Sequence, residues 1–255
     1  MALWDHLVAF DYTIWLLCAA LYLLDHVKLV EPSRLLCEER TRTWQFRLHI
    51  TPFALGGKDL YLLDPLRPWW GAFVLSWGDS PATGEGAAPQ SERRALRMAH
   101  RDLLVFRRQA TVLRAVSTIS AFTLFVVGPL LTAQRGLTTA ILIALPIHIT
   151  LVGVSAFAQW SLRGPLRLSM ATVLGLVTEA LICPPYAASL LKRVSIRSSF
   201  QVDGVELARH LQPRSNFNEL VARAMARWDA SGYEDHDVTE EAGARAYRAR
   251  LRSWT

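Results

Sequence analysis

Lysine is scarce in this chain: of 28 basic residues only Lys28, Lys58 and Lys192 are lysines, and the rest are arginine. That bias is the one a GC-rich bacterial genome produces. The arginines fall between and beside apolar blocks, where membrane topology places basic residues. A net charge of +6 is therefore read as topology, and no nucleic-acid partner is expected.

Cysteine is scarce too. Cys18, Cys37 and Cys183 are an odd number without a CxxC spacing, so neither a disulfide framework nor a thiolate metal site follows. Phosphate-binding glycine motifs are missing, since Gly56-Gly57 and Gly84-Glu85-Gly86 lack the rest of any such loop, and no HExxH or Ser-His-Asp arrangement is present. No catalytic residue is assigned, and no cofactor is predicted. The first ten residues hold Asp5 and His6 but no Lys or Arg, which reads as a retained anchor and not a cleaved leader.

What the chain has in excess is apolar residues, 51% of the total, gathered into blocks. Blocks of about 20 such residues are what a hydrocarbon layer roughly 30 Å thick selects. Ala115 to Gln134 carries no charge, and after Gln134, Arg135 and Gly136 the stretch Leu137 to Leu162 is again uncharged, with His148 inside it. These two predict a membrane hairpin. Leu7 to Leu24 predicts another span if Asp11 is accepted near its end. Leu168 to Leu191 is long enough for a fourth, but Glu179 lies at its centre and Pro184-Pro185 interrupts it, so it either crosses with a kink or enters and returns.

The expected fold is thus an all-α polytopic membrane protein of about four membrane helices, with a small cytoplasmic β-hairpin insertion and an amphipathic helical tail. Its regions are a first helix at 1–30, an insertion at 31–110, a helical hairpin plus a kinked or re-entrant helix at 111–191, and a soluble tail at 192–255. Trp44, Phe46, Leu48 and Ile50 alternate with polar residues, the period of a half-buried strand, and a second extended run follows Gly56-Gly57. Ser80 to Gln90 reads as a loop, and Ser91 to Arg108 as a basic surface helix. Trp69, Trp70, Trp77 and Trp160 suit a headgroup boundary. Arg34, Arg40, Arg42, Arg101, Arg107 and Arg108 place 31–110 on the cytoplasmic side of a bacterial inner membrane.

Ionisable groups inside hydrocarbon are costly, which singles out Asp11, His148 and Glu179 as intramembrane functional candidates; a structural bond between helices is the plainer use of His148 and Glu179. His26 and His148 could in principle bind haem from two helices, but their depths match poorly. Glu234 to Asp237 resembles a ligand cluster, yet four consecutive residues cannot all face one ion, and no metal is predicted. In the tail Phe217, Leu220, Val221, Ala224, Met225 and Trp228 share one helix face and are candidates for docking a partner. Thr239 to Arg252 reads as a further, arginine-rich helix. The expected partners are the lipid bilayer and other protein subunits or a second copy of the chain. The function expected first is an accessory or scaffold subunit of a membrane assembly. A homo-oligomeric channel or small transporter using His148 and Glu179, and a membrane enzyme acting on lipid, are the alternatives.

Overall fold

The computed structural model describes residues 2–41, 43–48, 54–55, 58–78, 89–198, 200, 202–230 and 247–254. The chain is mostly helical. Its elements are α1 (Ala2–Asp25), β1 (Val27–Val30), β2 (Arg34–Glu39), β3 (Trp44–Arg47), β4 (Ala54–Leu55), β5 (Lys58–Leu62), β6 (Ala72–Ser76), α2 (Pro89–Gln109), α3 (Thr111–Phe122), a π-helical turn (Thr123–Val127), α4 (Gly128–Arg135), α5 (Leu137–Leu162), α6 (Met170–Ile182), α7 (Pro184–Ala188), α8 (Leu190–Ile196), α9 (Gly204–Leu211) and α10 (Arg214–Ala230). The strands make two small sheets, ordered β1-β5-β4 and β3-β2-β6. Two compact units result: residues 1–28, 62–71 and 105–198 form one, and 29–61, 72–104 and 199–255 the other.

In the helical unit, Thr111–Arg135 and Leu137–Leu162 are each long and apolar enough to cross a membrane. The first is not a uniform α-helix. Pro129 has no N–H to give the carbonyl one turn back, and the bonding just before it slips to the wider π spacing, with the Gly128 N–H reaching the Thr123 carbonyl. Gly136, at φ +80°, makes the turn into α5; a left-handed backbone there suits a residue without a Cβ. Gly128 serves closeness instead. A Cβ on it would overlap the Trp15 ring, so α1 and α4 meet through a bare backbone.

The apolar block after Leu168 is broken in three. Ser169 caps α6 by accepting from the Thr172 N–H at 3.0 Å, and α6 runs 13 residues, about 20 Å of rise. It stops at Cys183, whose backbone is extended (φ −126°, ψ 99°), because the following prolines disfavour a helical residue before them. Pro184 then starts α7, where its missing N–H costs nothing.

The other unit is built on β2, paired antiparallel with β3 (Cys37 opposite Phe46) and with β6 (Cys37 opposite Phe73). Trp44 and Phe46 are buried as the alternation predicted, but they pair with β2 and not with the run after Gly56-Gly57. That later run forms its own hairpin, Leu55 opposite Lys58, joined to β1. Gly56-Gly57, Ile50, Ser80 to Ala88 and the Glu234 to Asp237 cluster lie outside the described residues; of the helix expected at 239–252, residues 247–252 are described and helical. Asp203 caps α9, accepting from the Glu206 N–H at 2.9 Å. The first residue of that helix, Gly204, lies so near the sheet that a Cβ would come 2.8 Å from Leu35.

Candidate functional site

Two features of the helical unit gather its polar side chains: an ionic cluster and a cavity. The cluster forms because the chain reverses at Pro184-Pro185 and returns α8 alongside α6. Residues 14 and 18 positions beyond Glu179 then meet its carboxylate. Arg193 donates Nη1 to Oε2 at 2.8 Å, and Arg197 donates Nη2 to Oε1 at 2.8 Å. Arg193 also sets Nε 3.3 Å from Asp25 at the end of α1, and its guanidinium lies 3.7 Å from the centre of the Tyr186 ring. Asp25 in turn pairs with Lys28 at 2.9 Å and accepts from the Ser189 hydroxyl. Lys192 is buried beside this group and donates to the Asp64 carbonyl.

Glu179 is therefore not a lone carboxylate among lipids. It is an anchor for two arginines. The sequence marks Lys192, Arg193 and Arg197 as a topological signal only, and Asp25 as a helix end; nothing in their spacing announces that a double proline would fold them back onto Glu179. Such a network ties α1, α6 and α8 together, and Glu179, Arg193, Arg197, Asp25 and Lys28 each have an opposite charge within reach.

His148 has a different neighbour. Its Nε2 lies 3.3 Å from the Leu181 carbonyl, a link from α5 to the end of α6, and it is not bonded to Glu179. It lines a cavity of about 190 Å³ bounded by α1, α3, the π turn, α5 and α7. Ile14, Trp15, Cys18, Ser120, Thr123 and Leu145 are among its walls, and Asp11, half-buried further up α1, is not. Trp15 is held by donating Nε1 to the Thr132 hydroxyl at 2.9 Å, while that hydroxyl donates to the Gly128 carbonyl at 3.0 Å. Asp11, His148 and Glu179 are thus not brought to one point. His26 is wholly buried near the cluster, its Nδ1 2.7 Å from the Tyr22 carbonyl. Among the described residues no group of three His, Cys, Asp or Glu side chains is placed to hold a metal.

The tryptophans divide. Trp160 is exposed with Arg163 over its ring at 5.0 Å, Trp69 is exposed, and Trp70 lies 4.1 Å beneath Arg67. These fit a boundary position. Trp77 does not: it is 6% exposed in the sheet-containing unit, donates Nε1 to the Pro32 carbonyl at 3.0 Å and meets Trp228 edge-on. The supposed docking face of the tail is likewise turned inward. Phe217, Leu220, Val221 and Ala224 are core residues of their own unit, Phe217 lies against Trp254, Trp228 stacks on Tyr247, and only Met225 and Trp228 keep partial exposure. An amphipathic stripe records that a face is covered and not by what, and here α9 and the stretch 247–254 belong to the same unit.

Comparison of the chain with protein-family models, with curated proteins and with solved structures finds no match in any of the three.

Proposed function

We propose that the chain is an integral accessory or scaffold subunit of a bacterial inner-membrane assembly. In this reading α1, the 111–135 helix, α5 and the broken 170–196 segment form the membrane anchor, and the sheet-containing unit is a cytoplasmic module presented to other protein subunits. The observation that supports the membrane part of this reading is the outer surface of the two long helices: only 33% and 17% of their most apolar windows are buried, whereas the core helix of a water-soluble domain would be mostly covered. Phe157, Leu142 and Leu130 all face outward, and a surface of that composition favours lipid or another apolar chain over water.

The ionisable groups also support a structural anchor over a conducting path. Glu179 is committed to Arg193 and Arg197, and His148 to a main-chain carbonyl, so neither pairing supplies a continuous relay.

The test is to purify the tagged full-length protein from native membranes in mild detergent and determine particle mass and composition. A fixed-ratio complex with unrelated chains is expected. A homo-oligomer without other proteins would overturn the accessory reading and favour the channel, and recovery in the soluble fraction would overturn the membrane reading itself.

A further inference from the structure

We propose that the exposed face of α2 is a docking surface for anionic phospholipid headgroups, held by charge and not by insertion. The proposal rests on the membrane reading of the chain.

The first argument is the distribution of charge around the helix. At about 100° per residue, Arg93, Arg97, Arg108, Arg101 and Arg94 fall within an arc of about 100°, and all five are exposed. Leu96, Ala99, Leu103 and Phe106 lie on the opposite side and are buried. Between Arg93 and Gln109 the one acidic residue is Asp102. Among the described residues no acidic side chain pairs with any of the five arginines.

The second is what such a face costs. Arg93, Arg97 and Arg101 follow one another at i, i+4 spacing, where like charges weaken a helix. Other surface arginines meet carboxylates: Arg34 pairs with Glu31 at 2.9 Å, Arg67 with Asp64 at 3.5 Å and Arg197 with Glu179 at 2.8 Å. No described side chain supplies that counter-charge on α2.

The third is position, and it chooses the partner. Helical hydrogen bonding runs through the joint between α2 and α3, with the Ala110 N–H on the Phe106 carbonyl at 2.8 Å and the Arg114 N–H on the Ala110 carbonyl at 2.9 Å. Thr111 then opens the 111–135 span. At about 1.5 Å of rise per residue, Arg108 is about 5 Å and Arg101 about 15 Å along the helix from Thr111. The polar layer outside the hydrocarbon is about 6 Å deep and the Debye length near 0.1 M salt is about 10 Å, so both arginines are within range of headgroup charge. The same end of the membrane hairpin carries exposed Trp160 under Arg163, which has no acidic partner among the described residues. The turn at the other end of the hairpin holds a single charge, Arg135.

The mode of contact follows from burial. The apolar face of α2 is already covered, and Met98 and Leu104 are the large apolar residues left on its exposed side. An interfacial helix that inserts would need its apolar face free, so attachment here is electrostatic and salt should release it.

The full-length protein is reconstituted in phosphatidylcholine nanodiscs, and electron paramagnetic resonance measures how much spin-labelled phosphatidylglycerol or phosphatidylcholine is immobilised at its surface. Immobilised lipid of either kind tests the membrane reading by itself, and the ratio of the two tests the docking surface. A roughly threefold preference for phosphatidylglycerol is expected, below the roughly fivefold effect of one arginine at a headgroup surface because most of the lipid shell lies away from α2. The preference should vanish as sodium chloride rises from about 0.1 M to about 1 M, where the Debye length is about 3 Å. Combining Arg93→Gln, Arg94→Gln, Arg97→Gln, Arg101→Gln and Arg108→Gln should remove most of it, and lysine at the same five positions should retain it. Equal immobilisation of the two lipids, a preference that persists at high salt, or one that survives the five glutamines would each overturn the assignment, the last pointing to an acidic protein segment as what the stripe meets. If the fivefold variant does not assemble, Arg101→Gln with Arg108→Gln decides alone: a reduced preference supports the proposal and an unchanged one overturns it.

Discussion

The carboxylate of Glu179 is held between two guanidinium groups, with Arg193 and Arg197 each donating at 2.8 Å. The three side chains do not contribute equally. Glu179 and Arg197 are each about a third exposed, while Arg193 and Asp25 are largely covered, so the Asp25 to Arg193 link is the one that water screens least.

Glu179→Gln should therefore lower stability by less than about 1 kcal/mol, the range of partly exposed pairs. Arg193→Leu removes its contacts with Asp25, Glu179 and Tyr186 together and should cost about 2–3 kcal/mol. Thermal unfolding of the two variants in the same detergent checks the order. A larger loss for Glu179→Gln than for Arg193→Leu would show that the cluster is centred on the wrong residue.

Gly128→Ala should destabilise the helical unit by about 1–3 kcal/mol, because the added methyl would press into the Trp15 ring, and that ring is fixed by its bond to Thr132. Trp15→Leu in the same background should restore part of the loss. The thermal midpoints of the single and double variants measure this directly.

In the sheet-containing unit Arg227 and Asp59 form an ion pair at 2.6 Å with 8% and 0% of their side chains exposed. Asp59→Ala removes the carboxylate that faces this buried cation and should cost about 3–5 kcal/mol. Replacing both, as Asp59→Leu with Arg227→Leu, should cost less than the single change. Urea titration followed by circular dichroism distinguishes the two, and a double variant weaker than Asp59→Ala would contradict the argument.

Burial pushes the Tyr247 hydroxyl well above the ordinary tyrosine range, with the neighbouring Asp203 carboxyl adding to the rise. The folded form keeps the proton that the unfolded chain begins to release near pH 10. The contribution is thus fully present below pH 10 and is lost as pH rises beyond it. Wild-type stability should fall over that alkaline range, and Tyr247→Phe should fall less steeply. Denaturant midpoints collected on either side of about pH 10 supply the comparison.

Several features were legible in the residues themselves. The hairpin of 111–135 and 137–162 follows from two uncharged runs separated by Arg135 and Gly136, and the break after Ile182 follows from two prolines, because length in hydrocarbon and a missing N–H are local properties. The alternation at Trp44 to Leu48 marked a strand for the same reason, since period reports a half-covered surface without naming the cover.

Partners were decided only in three dimensions. That Glu179 meets Arg193 and Arg197 instead of His148, that β3 pairs with β2, that Trp77 packs on Trp228, and that Phe217 to Ala224 turn toward their own unit each depend on where a distant segment returns. So does the unpaired hydroxyl of Ser120, which is one uncharged residue among many in an apolar run until α1, α5 and α7 close around it. Local chemistry sets which groups need a partner; the course of the chain decides whether each one finds it.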